Sequence, residues 1–279
     1  MTVYNPAINA LTVDVEDYFH VAAFDKTINA ADWDALPQRV ERNTDILLQH
    51  FSDHNATATF FILGWVAKRY PSLVQRIHNA GHEVASHGFS HAKATSQTPE
   101  QFLQDISSAK QLLQSIIGTE VIGYRAPSFS IGKTNQWAFA ALQQAGYVYS
   151  SSTYPVIHDL YGTPDWPQKP YQRPEGIWEY PMPVWNKLGK QLPIAGGGYF
   201  RLLPYWLSKK GIDGFLAQSD TPYMFYFHPW EIDPEQPRIA NASVKSKFRH
   251  YTNLGRMEAK LLRLLNDYQW RSVRDVYKL

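Results

Sequence analysis

Short apolar runs alternate with amphipathic stretches along the first half of this chain. Ala10 to Val15 reads as a buried strand that ends in acids, Asp14-Val15-Glu16-Asp17. Gln38 to His54 places Val40, Leu47, Leu48 and Phe51 on one side, which predicts a helix. Ala58 to Leu63 is an apolar strand centred on Thr59-Phe60-Phe61-Ile62. Pro71 opens a helix through Ala80, and Gly81 stops it. Val84-Ala85-Ser86 is a short strand. Thr98-Pro99-Glu100-Gln101 has the cap, first-position proline and third-position glutamine of a helix start, and that helix runs to about Ile117 before Gly118. Val121 to Tyr124 is a strand leading into Arg125-Ala126-Pro127, and Asn135 to Ala145 is a helix closed by Gly146.

Further on, the pattern loosens. Tyr154 to Lys190 is rich in Pro, Trp and Tyr with little periodicity, and is expected to form long loops over one face. Gly196-Gly197-Gly198 lacks the features of a phosphate or dinucleotide loop and reads as a point of close backbone approach. Tyr223 to Phe227 is an apolar strand that delivers His228-Pro229-Trp230. Leu254 to Leu265 is a helix, and a last strand is expected around Ser272-Val273. Strand and helix in alternation predict an α/β fold with a parallel sheet. No repeat or linker interrupts it, so residues 1–279 read as a single domain.

Composition narrows the chemistry. The formal charge of +2 gives no reason to expect nucleic acid or an anionic membrane as partner. Without cysteine, disulfides and thiolate chemistry are excluded, and a metal must be held by His and carboxylates. No basic region followed by an apolar run opens the chain, and no apolar stretch is long enough to span a bilayer. The expectation is a cytoplasmic protein with no membrane span. Aromatics make up 14% of residues. Near Pro and Gly they can offer flat faces to sugar rings or plug the core under loops.

Four predicted strands end in polar residues of catalytic type: Asp14, Glu16 and Asp17; then His87 and His91; then Arg125; and late in the chain His228. In a parallel barrel these ends share one rim. His87 and His91, four apart, can face one point if the segment turns once, which suits a divalent ion. Asp14 and Glu16 share a face on a regular strand, whereas Asp17 needs a turn to join them.

In that order and spacing, Leu11-Thr12-Val13-Asp14-Val15-Glu16-Asp17, Thr59-Phe60-Phe61, His82 to His91, Arg125-Ala126-Pro127 and Phe227-His228 resemble the motifs of the polysaccharide deacetylase family, carbohydrate esterase family 4. The likeness covers about residues 10 to 230. It is nearest the branch with cytoplasmic peptidoglycan-deacetylase-like and allantoinase-like proteins, and resembles the deacetylases of exopolysaccharide loci. The resemblance implies a distorted (β/α)₇ barrel with one divalent ion, expected to be zinc. His87 and His91 match the two histidine ligands, Asp14 the general base, Arg125 the arginine that orients it, and His228 the general acid. The family form has adjacent acids, so either Glu16 or Asp17 is the third ligand, and a shifted register would make Glu16 the base. The family's aromatic after the proline is Ser128 here, then Phe129.

The expected reaction is hydrolysis of N-acetyl groups from amino sugars in a glycan or its precursor. The ion polarises the carbonyl and activates water, Asp14 takes a proton, the Ser128 backbone N–H holds the oxyanion, and His228 protonates the amine. Loops between Tyr154 and Trp185, with Gly196 to Arg201, are expected to shape the cleft, with Tyr199 and Arg201 as sugar contacts. Rival readings are a cyclic-amide hydrolase of the allantoinase kind and a non-catalytic glycan-binding protein. Relatives of the cytoplasmic branch often form homo-oligomers, and the resemblance carries that expectation too.

Overall fold

The computed structural model describes residues 8–158 and 162–279. The strands among these residues are β1 (Ile8–Val15), β2 (Thr59–Ile62), β3 (Glu83–Ser86), β4 (Gly123–Tyr124), β5 (Tyr149–Ser150), β6 (Tyr171–Gln172), β7 (Trp178–Glu179), β8 (Val184–Lys187), β9 (Lys190–Pro193), β10 (Met224–Phe227) and β11 (Gln269–Arg271). Hydrogen bonding joins β10-β1-β2-β3-β4-β5-β7 as parallel neighbours, with β6 antiparallel on β7 and β11 parallel on β1. This is the mixed α/β, curled sheet expected of a distorted barrel. Among the described residues no ladder joins β10 to the β6–β7 side, so the curled sheet is left open. β8 and β9 form a separate hairpin.

The strands read as unbroken apolar runs because both their faces are buried. Alternate residues divide between two cores. Leu11, Val13 and Val15 of β1, Phe60 and Ile62 of β2, and Phe225 and Phe227 of β10 face the helices. Ala10, Phe61, Ala85, Met224 and Tyr226 face the inside of the curl. Asp14 follows Ala10 by four residues and so falls on the inner face.

Among the described residues, ten α-helices pack around this sheet. The first five are α1 (Val40–Asp53), α2 (Gly64–Arg69), α3 (Pro71–Asn79), α4 (Pro99–Ile117) and α5 (Trp137–Gln144). The capping box at Thr98 and Gln101 forms, and Gly118 ends α4 at φ 70°. The other five are α6 (Gly197–Leu202), α7 (Tyr205–Leu216), α8 (Val244–Tyr251), α9 (Leu254–Asp267) and α10 (Val273–Tyr277). Periodicity had indicated α9 but not α2, α6, α7, α8 or α10.

Two expectations need correction. The last strand is Gln269–Arg271, and Ser272 instead caps α10 by accepting from the Asp275 backbone N–H. A Ser-x-x-Asp cap at the helix start prevails there over the local β-propensity of Val273. The Tyr154–Lys190 stretch is not all loop, since it holds β6, β7 and most of β8–β9, and residues 159–161 of it lie outside the described residues. Its short strands pair with β5 and with each other, which no local periodicity announces. Among the described residues no helix is long and apolar enough to cross a membrane.

Candidate active site

Polar side chains from the carboxyl ends of β1, β3, β4 and β10 converge on one cleft of about 530 Å³. Asp14, Glu16, His87, His91, Ser128, Tyr199 and His228 all line it. Arg125 lies beneath, fully buried, and holds Asp14 Oδ1 at 2.7 Å through Nη1. The same guanidinium donates to Thr12 Oγ1, to the Ser151 carbonyl and to Ser151 Oγ. The Phe61 ring lies under it at 4.2 Å. The carboxylate thus has one fixed rotamer and one charged partner.

Glu16 follows the strand. Its N–H turns back to the Asp14 carbonyl, which ends the β geometry and swings the side chain toward His91. Glu16, His87 and His91 each offer a donor atom within 4.8 Å of the others. His87 Nδ1 lies 2.8 Å from the Arg125 carbonyl, which fixes the proton on that nitrogen and turns Nε2 free of hydrogen into the cleft. Burial pushes the His87 pKa down to about 4, so the ring is neutral at pH 7. Burial by itself would raise Glu16, but the His91, His228 and His87 rings hold it well below the usual carboxylate range. His91 Nε2 is 2.7 Å from Glu16 Oε2, yet that buried oxygen has no partner in hydrogen-bond geometry. A buried carboxylate oxygen without a hydrogen-bond partner, beside two imidazoles, fits a divalent ion.

The turn that brings His91 to Glu16 is not helical. Gly88 sits at φ 76° and His91 at φ 56°. Asp105 of α4 accepts the Phe89 and Ser90 N–H groups, and the Gly88 and Phe89 carbonyls accept the first N–H groups of α2. The loop is therefore clamped from two helices. Ser128 and Phe129 also hold left-handed backbone, at φ 55° and 48°. Such strain at consecutive non-glycine residues costs on the order of 1–3 kcal/mol each and is found where a site needs it.

Asp17 does not join the three donors. Its Oδ2 caps the start of α1 by accepting from the N–H groups of Arg39 and Val40, and its Oδ1 accepts from Tyr18. Of the two candidate carboxylates, the structure brings Glu16 to the histidines. Arg201 is likewise not in the cleft wall. It is buried, pairs with Glu231 Oε2 at 2.7 Å, and donates to the carbonyls of Arg249, His250 and Thr252. Its place as a sugar contact is therefore corrected, because its donors are taken by the protein. Tyr199 lines the cleft.

Glu231 was not singled out from the sequence. It accepts from the backbone N–H of His228 at 3.1 Å and from His228 Nδ1 at 2.9 Å. Burial opposes charge on His228, but Glu16 and Glu231 outweigh it and raise the pKa to about 9. Nε2 then carries a proton 3.3 Å from Glu16 Oε1. The fit around Glu231 is tight. A Cβ on Gly197 would meet its Oε1 at 2.1 Å, so the glycine run is indeed where backbone approaches closely. The only signal in the sequence was an acid three residues after His228.

Among the described residues of the 154–185 stretch, Tyr154 and Tyr180 are buried and Trp166, Tyr171, Trp178 and Trp185 are half-buried, and none of these rings lines the cleft. Tyr154 is buried with its hydroxyl on the Ala195 carbonyl, and Trp185 packs against Gly214. Of the described residues in that stretch, His158 lines the cleft. The wall is built instead from residues 21–23, from α6 and from α8. Large rings gain more from full burial than from lining a wet groove.

Residues 24–150 match the family model of polysaccharide deacetylases, and residues 151–278 match a domain of unknown function, DUF3473. A peptidoglycan-N-acetylglucosamine deacetylase of Bacillus cereus is 32% identical over 27% of this chain and 27% of its own length. A chitooligosaccharide deacetylase of Azorhizobium caulinodans is 34% identical over 30% of this chain and 40% of its own. The chain thus spans less than half the length of these relatives. A crystal structure from Mycobacterium smegmatis, assigned as a polysaccharide deacetylase, superposes with a TM-score of 0.62 at 17% identity, covering 97% of this chain and 88% of that one. A peptidoglycan N-acetylglucosamine deacetylase structure gives 0.55 at 14% identity, covering 99% and 90%. Those two likenesses concern the fold. The DUF3473 stretch supplies β10 and β7 to the same sheet as β1–β5, and His228, held by Glu231, to the same cleft. The ordered motifs, the curled sheet and the family model agree: residues 24–150 of this chain match the polysaccharide deacetylase family.

Proposed function

We propose that this protein hydrolyses the N-acetyl group of an amino sugar in a glycan or glycan precursor, using one divalent ion, zinc for preference. The observation that carries the reading is the meeting in one cleft of a three-donor set, an arginine-held carboxylate and a carboxylate-held histidine. Glu16, His87 and His91 would hold the ion. When bound, it would supply polarisation of the amide carbonyl and a lowered pKa of water.

Asp14, fixed by Arg125, takes the proton of the attacking water. The backbone N–H at Ser128 receives the oxyanion. His228 enters protonated and gives its Nε2 proton to the departing nitrogen, so that amine and acetate leave as separate products. A purely binding protein has no use for this division of base, acid and ligands, and neither relative named above is described as a binder.

The test is acetate release from N-acetylglucosamine oligomers by chelated protein with zinc added back. Zinc-restored release is the expected result. Stoichiometric zinc without release would move the substrate to small cyclic amides, and absence of both would support the binding-protein reading.

The histidine makes a separate prediction on pH. The donor is the protonated ring, so activity should be present below a pKa of about 9 and fall as pH rises through it. Glu231→Gln removes one of the charges that raise that value. The alkaline limb of kcat/KM should then move down by about 1 unit, with kcat at its new optimum reduced roughly tenfold. An unmoved limb would show that Glu231 does not set the protonation of His228.

A further inference from the structure

The net charge of +2 hides an uneven distribution. From Gln236 to Met257 the chain has five basic residues, Arg238, Lys245, Lys247, Arg249 and Arg256, and no Asp or Glu. This segment contains α8. On that helix Val244 and Phe248 are one turn apart, so they share a face. They are 84% and 60% exposed. A single exposed apolar residue needs no explanation, but here the pair flanks a surface groove of about 480 Å³. Arg238, Ile239, Val244, Lys247, Phe248 and Tyr251 line it, with two cations and no carboxylate. Arg238 stacks on the Tyr251 ring at 4.2 Å, and Lys247 Nζ donates to the Ala240 carbonyl, so both cations are anchored at the groove edge without being neutralised by an acid there.

Phe248 also lines the catalytic cleft on its other side. Whatever seats in the groove therefore lies beside the cleft mouth. Basic residues around an exposed apolar helical face complement a negatively charged, partly apolar surface. We propose that α8, with residues 238–240, docks this protein on an anionic phospholipid surface. Val244 and Phe248 enter the headgroup–acyl boundary, and the basic residues around them meet lipid phosphates. The docking does not depend on the deacetylase reading.

The test is co-sedimentation of the full chain with phosphatidylcholine vesicles, with and without about 30% phosphatidylglycerol. Binding to the anionic vesicles alone, weakening as salt rises from about 0.05 to 0.5 M, is expected. Val244→Asp and the pair Arg238→Glu with Lys247→Glu should each lower vesicle partition about tenfold or more. These residues lie outside the catalytic cleft, so acetate release from a soluble oligosaccharide should be unchanged. Equal binding to neutral vesicles, no binding to either, or binding indifferent to these substitutions would overturn the proposal. So would sedimentation of the free protein as a dimer that Val244→Asp splits, which would assign the groove to a second copy. If acetate release fails in the unaltered protein while vesicle binding behaves as described, the enzymatic reading falls and the docking stands.

Discussion

Asn in place of Asp14 should lower kcat for acetate release by about 10²- to 10⁴-fold, the range ascribed to a lost general base. The substitution is nearly isosteric, and the Asn side-chain oxygen can still accept from Arg125 Nη1 at the position where Asp14 Oδ1 now sits. The cleft should keep its shape. What disappears is the capacity to take a proton from water. The ion should still bind, because Asp14 is not among the three grouped donors. Glu16→Gln should behave in the opposite sense, with zinc affinity falling by about tenfold or more as a charged ligand is lost. Measuring zinc dissociation constants and kcat on both variants separates the two carboxylates. If Asp14→Asn sheds the ion and Glu16→Gln retains it, the register is reversed and Glu16 is the base.

Arg125→Met should destabilise the fold by about 3–5 kcal/mol, the cost of leaving one partner of a buried ion pair without its counter-charge. Arg125 has no exposure to solvent, and Asp14 is almost as deeply placed. Methionine fills much of the space and suits the neighbouring sulfurs of Met182 and Met224. The loss would therefore reflect charge and hydrogen bonding more than a cavity. Urea unfolding is the measurement. The double variant Arg125→Met, Asp14→Asn should recover a large part of the loss, since neither charge then remains buried. A double variant no more stable than the sum of the two singles would mean that Arg125 acts on the fold through Ser151 and Thr12 rather than through Asp14. The same residue would then be a strut between β4 and β1 first, and a holder of the base second.

The two predictions concern side chains that the sequence analysis had named, and their legibility had a physical basis. Strands buried on both faces must be apolar throughout, so a polar residue of catalytic type at such a strand's end stands out. Asp14, His87, Arg125 and His228 were visible for this reason. Their meeting at one rim followed from parallel topology alone. Helices with caps and amphipathic spacing, such as α4 with its Thr98 box and Gly118 stop, were visible because their start, face and end are local events.

The features missed were those set by distant partners. Whether Glu16 or Asp17 meets the histidines depends on a turn after Val15, and on α1 presenting its free N–H groups where Asp17 can cap them. Within the run Asp14-Val15-Glu16-Asp17, strand alternation favoured Glu16 beside Asp14 but left Asp17 open as the third ligand. Arg201 was expected as a sugar contact, but Glu231 and the carbonyls of Arg249, His250 and Thr252, at the end of α8, absorb its donors. Glu231 itself gained a role only because Gly197 leaves room for it against His228. By itself, then, the sequence determined the α/β class, the strand ends that bring candidate residues together and the donor types open to an ion, because hydrophobic period and residue chemistry are properties of short segments. Which carboxylate stands beside which imidazole, and which arginine is consumed inside the protein, was decided only by tertiary structure, because a hydrogen bond or ion pair between residues far apart in the chain exists only once packing has brought them together.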